Sequence, residues 1–203
     1  FTSAALQDLL RRHLRAEPTV ANLADHVAIQ LNDTHPAIAV AELMRLLVDE
    51  HELPWAEAWR ITCAALSYTN HTLLPEALET WPVPLMERLL PRHMQIIYRI
   101  NAEHLDAVRA AHPGDDRLLA SVSLIGEDHG RRVRMGQLAF VGSHKVNGVS
   151  ALHTDLMRQT VFHDLNGLFP GRIVNKTNGV SFRRWLMQCN PGLTALLVDA
   201  LGP

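Results

Sequence analysis

Val27-Ala28-Ile29-Gln30-Leu31 runs straight into Asn32-Asp33-Thr34-His35-Pro36. The first five residues are mostly apolar, with β-branched Val27 and Ile29, but too few for an amphipathic helix, so they read as a strand. Asn, Asp and Pro then end it in a turn. Beyond the turn, Val40, Leu43, Met44 and Leu47 recur at helical spacing, with Thr34 as cap, Pro36 in the first turn, and Glu42 and Asp49 off the apolar face. A second helix starts at Pro54 and carries Trp55, Ala58, Trp59 and Thr62. It leads into another strand-like run, Ala64–Tyr68. Strand, helix, strand at this spacing implies parallel pairing, because parallel neighbours need a crossover between them. The expected fold is α/β: helix-rich, with a small, mostly parallel sheet.

The same reading extends in both directions. Residues 4–16 form a first helix on Leu6, Leu9, Leu10 and Leu14, and further helices are expected over 82–89, 149–161 and 190–200. The longest runs from Pro91 to about Ala111, with Met94, Ile97, Leu105 and Val108 inward, and Pro113-Gly114 stops it. Leu138–Val141 and Ile173–Val174 complete a set of four expected strands. The segment 126–132 is the best candidate for a mobile excursion.

Composition narrows the function classes. A hydrophobic share of 47% with 20% charged residues suits a globular chain rather than a disordered one. The net charge of −2 provides no field for nucleic acid or an anionic membrane, and Arg131, Arg132 and Arg134 read as a solvated face. Cys63 and Cys189 are too few and too far apart for a disulfide framework or a zinc ribbon, and read as two buried free thiols in a reducing compartment. No run approaches the ~20 apolar residues of a membrane span. With Phe1 first and Leu201-Gly202-Pro203 last, a piece of a longer protein is expected.

The chemistry gathers behind the expected strands. After Leu31 comes Asn32-Asp33-Thr34-His35; after Tyr68, Thr69-Asn70-His71-Thr72; after Val141, Gly142-Ser143-His144-Lys145-Val146-Asn147-Gly148; after Val174, Asn175-Lys176-Thr177-Asn178-Gly179. In an open parallel sheet the carboxyl ends of the strands share one edge, where ligands bind. One such loop would be only a turn, since Asn, Asp and Thr cap and turn chains; four at one edge make a crevice. Asn, His and Thr are paired donors and acceptors suited to a hydroxyl-rich ligand. Neither a G-x-x-x-x-G-K-[ST] nor a G-x-G-x-x-G phosphate loop occurs. The 12 histidines show no metal-binding spacing, though His35, His71 and His144 could meet in space.

On these same residues the sequence resembles the α-glucan (glycogen or maltodextrin) phosphorylases. The stretches that carry the resemblance are Val27–Pro36, Tyr68-Thr69-Asn70-His71-Thr72 on to Glu79, Leu90–Tyr98, Val146-Asn147-Gly148-Val149, and Asn175-Lys176-Thr177-Asn178-Gly179-Val180 on to Arg183-Arg184-Trp185-Leu186. They are long, ordered and nearly gapless from about residue 25 to the end. Ser181-Phe182 departs from the Thr-Pro of many members.

The resemblance implies a two-domain Rossmann-like (GT-B type) glycosyltransferase. Residues 1–178 would be the second half of the N-terminal catalytic domain, and 179–203 the start of the crossing into the C-terminal one. It also implies phosphate-driven cleavage of terminal α-1,4-linked glucose to glucose 1-phosphate with retained configuration, with pyridoxal phosphate as cofactor. His71 and Asn178 would hydrogen-bond the 6-hydroxyl of the reacting glucose, with the His71 carbonyl facing the reacting centre, so His71 is the catalytic candidate. Asp33 and His35 would line the glucose end, Val149 would pack on the sugar, and Glu76 and Glu79 would lie near the sugar pocket or the oligosaccharide channel. Trp185 would sit by the cofactor.

The cofactor lysine of the family has no counterpart here, since Lys145 and Lys176 do not match its motif. The piece alone is therefore expected to be inactive and cofactor-free. The parent would be a cytoplasmic homodimer of an allosterically regulated family, acting on α-1,4-glucan, phosphate and glucose 1-phosphate, with no nucleic acid or membrane partner. A non-catalytic glucan-binding module is the alternative, weakened by an aromatic content of only 5%.

Overall fold

The computed structural model describes residues 1–74, 78–127 and 130–202. Its centre is a four-stranded parallel sheet of β1 (Ile29–Asn32), β2 (Leu66–Thr69), β6 (Lys145–Gly148) and β7 (Ile173–Asn175), in the order β1-β2-β6-β7. Register pairs Asn32 with Thr69, Thr69 with Asn147, and Gly148 with Asn175. All four carboxyl ends therefore meet at one edge. The expected α/β fold is the one observed.

Crossovers between the strands supply the helical layer. After the opening helices α1 (Thr2–Ala16) and α2 (Leu23–His26), α3 (Ala39–Arg45) continues into a π-helical turn, Leu46–Glu50, and α4 (Trp55–Ala65) returns to β2. The longer crossover from β2 to β6 contains β3 (Thr80–Pro82), α5 (Val83–Leu89), α6 (Pro91–Ala111), α7 (Asp116–Val122), β4 (Ile125–Gly126), β5 (Arg132–Arg134) and α8 (Met135–Val141). Helices α9 (Ala151–Gln159) and α10 (His163–Leu168) join β6 to β7. The chain ends in α11 (Phe182–Cys189) and α12 (Pro191–Leu201).

The α3–α6 contact shows how pattern becomes packing. Val40, Leu43 and Met44 of α3 are fully buried, as are Met94 and Ile97 of α6. Each such side chain contributes about 1.5–3 kcal/mol of burial free energy. Glu42 lies on the same contact, 2% exposed, not on the outer face expected for it. It is admitted because Arg45 Nε and Nη2, Ser3 Oγ and His93 Nε2 all reach its two oxygens. Burial alone would raise this carboxyl's pKa. The hydrogen bonds from Arg45, Ser3 and His93 outweigh that and bring it from 4.5 down to about 2. Asp49 pairs with Arg92 of α6 across the same seam.

Two further expectations need correction. Leu138–Val141 is not a strand but the end of α8, in which nearly every residue is buried. A short helix buried all round has no polar face, so its sequence mimics a buried strand. The true third strand is Lys145–Gly148. Thr34 does not cap α3, which begins at Ala39: its carbonyl accepts the Ala37 N–H, and its hydroxyl turns to Glu79. The segment 126–132 is bordered by a small antiparallel sheet of β3, β5 and β4, with Ile125 opposite Val133 and Trp81 opposite Val133 on the other side. Residues 128 and 129 of the expected excursion lie outside the described residues.

Candidate functional site

Each strand end delivers its polar residues to the carboxyl edge by a separate device. At β1, Asp33 takes the left-handed conformation (φ 67°), which turns the chain sharply out of the strand. Its N–H donates to Thr69 O at 2.9 Å and its Oδ1 accepts the Thr34 N–H at 2.7 Å, so this nearly buried carboxylate (9% exposed) holds the loop from within. The next two side chains both reach Glu79. Thr34 Oγ1 donates to Oε2 at 3.2 Å, and His35 Nδ1 lies 3.4 Å from Oε1.

At β2, Asn70 is fully buried and saturated. Its N–H donates to Asn147 O at 3.0 Å, its Nδ2 donates to the Tyr68 hydroxyl at 3.0 Å, and its Oδ1 accepts from His153 Nε2 at 2.8 Å. Burial pushes the Tyr68 phenol up, so the hydroxyl stays protonated. His71, next along, is exposed, and its Nε2 meets Asn32 Oδ1 at 2.5 Å.

At β6, Gly148 is required by space. A Cβ there would sit 2.3 Å from Thr154 Oγ1 and 2.8 Å from its Cα. That closeness lets the loop turn under α9, whose first turn Ser150 caps by accepting the His153 N–H. The loop after β7 then runs alongside: Lys176 N–H donates to Gly148 O at 3.0 Å and Asn178 N–H to Val149 O at 2.9 Å. His71, Val149 and Asn178 thus stand on one edge. The strands preceding His71 and Asn178 are separated only by β6, about 10 Å from strand to strand at the usual sheet spacing.

The structure does not bring every expected residue to this edge. His144 precedes β6 and lies at the opposite, amino edge, where its Nδ1 hydrogen-bonds Leu66 O at 2.8 Å. It moved with the corrected strand, so the three-histidine meeting of His35, His71 and His144 does not form. Among the described residues no cluster of His, Cys, Asp or Glu could hold a metal ion. Trp185 is on α11, 52% exposed, in a helix pair with no buried residue. Glu76 lies outside the described residues. Residue patterns missed the Tyr68–Asn70–His153 network and the Asn32 contact. His153 looks like any helical histidine, and its only signal was that Asn70 adjoins His71.

The whole chain, residues 1–203, matches the family described as Carbohydrate phosphorylase. A glycogen phosphorylase from Synechocystis sp. is 53% identical over 202 residues, covering 100% of this chain and 24% of that protein. The liver form from Bos taurus is 50% identical over 208 residues, covering 98% and 24%. The glycogen phosphorylase of Haemophilus influenzae is 52% identical over 202 residues, covering 100% and 25%. The chain spans about a quarter of the length of the curated relatives it matches.

Proposed function

Because this chain belongs to the carbohydrate phosphorylase family, we propose that its carboxyl-edge crevice is the glucose-recognising half of an α-1,4-glucan phosphorylase site. The observation that supports this most is the convergence of the Asn32–His35, Asn70–His71, Gly148–Val149 and Asn175–Asn178 loops at one sheet edge. In the reaction, the bond from the sugar C1 to the leaving O4 breaks, a bond from C1 to a phosphate oxygen forms, and O4 leaves with a proton.

The residues of this chain bind and orient. His71 and Asn178 bracket the 6-hydroxyl, and the His71 carbonyl faces the reacting carbon. Asp33 holds its loop so that His35 and Glu79 line the glucose end, and Val149 packs on the sugar. Glu76 is assigned to the same pocket. Fixed donors and acceptors of this kind lower the barrier mainly by positioning.

Pyridoxal phosphate would supply proton transfer through its phosphate, but the residues present do not fit its attachment. Lys145 Nζ donates to Gly171 O at the amino edge, and Lys176 follows β7 without matching the family's attachment motif. We assign the attachment, and with it the activity, to the longer parent, and Trp185 to its cofactor side. Residues 1–178 would form part of the N-terminal domain and 179–203 the crossing, in a cytoplasmic homodimer. Two surfaces support this division: the α11–α12 pair exposes Phe182, Met187 and Leu196, and one sheet face leaves Gln30, Asn32 and Lys145 exposed.

The test is Asn178→Ala in the full-length phosphorylase. Leaving a site polar group unpaired costs about 1–3 kcal/mol, so kcat/KM for glucan should fall about 10- to 100-fold with cofactor content unchanged. Discrimination against a 6-deoxy sugar should shrink as well. Unchanged kinetics would sink the assignment.

A further inference from the structure

His153 belongs to none of the four crevice loops, yet it is wedged between two of them. It stands half-buried in the first turn of α9, which Ser150 fixes by accepting the His153 N–H at 3.2 Å. Its ring lies against the β6 loop, where a Cβ on Gly148 would come 3.0 Å from His153 Cδ2. On the β2 side, Nε2 stands 3.1 Å from Asn70 O and 2.8 Å from Asn70 Oδ1. A backbone carbonyl oxygen only accepts, so Nε2 carries a hydrogen whichever way the Asn70 amide is turned.

That hydrogen acts at the point where the β2 loop leaves its support. Asn70 N–H still donates to Asn147 O at 3.0 Å. From His71 to Leu74, no backbone–backbone hydrogen bond ties the chain to any described residue. The Asn70 carbonyl is therefore the last anchored main-chain group before His71, and its anchor is a side chain. The 70–71 peptide is planar and trans, so a fixed carbonyl also fixes the direction of the His71 N–H and the position of the His71 Cα.

We propose that His153 is a positioning residue for the reaction: by holding the Asn70 carbonyl, it sets where the chain carries His71 into the crevice. The inference rests on the catalytic reading of the crevice given above and adds to it a residue that touches no substrate. Misplacing a reacting group by about 1 Å costs about 100-fold in rate. Loss of the donor should thus appear in turnover and not in ground-state binding. A donor restored to the same place should repair it.

The test is steady-state kinetics of the full-length phosphorylase carrying His153→Leu, which keeps bulk and removes the donor, or His153→Gln, whose side-chain amide reaches the position of Nε2. In His153→Leu, kcat and kcat/KM should fall together by about 10- to 100-fold, with KM for glucan within about threefold of wild type and cofactor content unchanged. His153→Gln should recover most of kcat. A merely structural role would leave a folded, cofactor-loaded His153→Leu enzyme at the wild-type kcat. Should that variant not fold, His153→Asn takes its place, because its shorter amide falls short of Asn70. Wild-type kcat in the folded donor-less enzyme, a loss confined to KM, or a His153→Gln enzyme as slow as His153→Leu would overturn the proposal. Failure of the crevice reading looks different: there Asn178→Ala leaves the kinetics unchanged, whereas here Asn178→Ala slows the enzyme and His153→Leu does not.

Discussion

The two faces of the four-stranded sheet are built from alternate residues of the same strands, and they differ sharply. Leu31, Leu66, Tyr68, Val146 and Ile173 occupy one face and are all buried under helices. Gln30, Asn32, Ser67, Thr69, Lys145 and Asn147 occupy the other and remain half or fully exposed. Parallel sheets are ordinarily covered on both faces and read as continuous apolar runs. This one alternates like a half-open antiparallel sheet, and the difference teaches where its register comes from. A slip by one residue would exchange Tyr68 for Thr69 in the core, so the packed face alone specifies the pairing. The open face adds a polar ladder, in which Gln30 Nε2 donates to Thr69 Oγ1 and Thr69 Oγ1 donates to Asn147 Oδ1, each at 2.8 Å.

That contrast can be broken experimentally, most forcefully at Tyr68. The ring is fully buried, meets Phe162 edge-on at 6.1 Å and accepts the Asn70 side-chain hydrogen bond. Tyr68→Ala should cost about 3–5 kcal/mol, read from the urea midpoint at constant slope. A loss below about 1 kcal/mol would mean that the packed face does not carry the fold.

Next comes Glu42, the most deeply buried carboxylate among the described residues. Glu42→Gln leaves Arg45 only its outer pair with Glu50, removes the charged acceptor shared by Ser3 and His93, and should cost about 3 kcal/mol at neutral pH. The sign of its pH dependence follows from the depressed folded-state pKa. The stabilising contribution is complete above about 4.5 and disappears as pH falls towards about 2. Denaturation of both proteins across that window should therefore converge at the acid end. A gap that stays constant with pH would show that the cost comes from packing and not from the charge.

The smallest effects belong to the surfaces that nothing covers. Thr69→Val removes one rung of an exposed ladder, and Trp185→Ala trims a helix pair that buries no residue. Each should shift stability by no more than about 0.5 kcal/mol in this chain. A Trp185→Ala loss comparable to that of Tyr68→Ala would reveal a partner surface on α11 and erase the contrast.

Legibility followed locality. Helix α6 was readable at both ends, because Pro91 suits a first turn and Pro113-Gly114 cannot continue a helix. Leu138–Val141 was misread because burial on all sides removes the polar stripe that distinguishes a helix. Glu42 was misplaced because a charge on an apolar face is tolerated only when Ser3, 39 residues away, and His93, 51 residues away, supply hydrogens. The β3–β5–β4 sheet escaped notice because two- and three-residue strands have no measurable period.

By itself the sequence determined the α/β class, the strand-then-polar-loop grammar, and the residues available to a hydroxyl-rich ligand, because each depends on neighbours within a few positions. Only the tertiary structure decided which loops share an edge. It sent His144 to the amino side and brought Asn32 to His71 and Asn70 to His153, across 39 and 83 residues. Such pairings are set by strand order and register, and strand order is a property of the whole packed layer that no short stretch of chain contains.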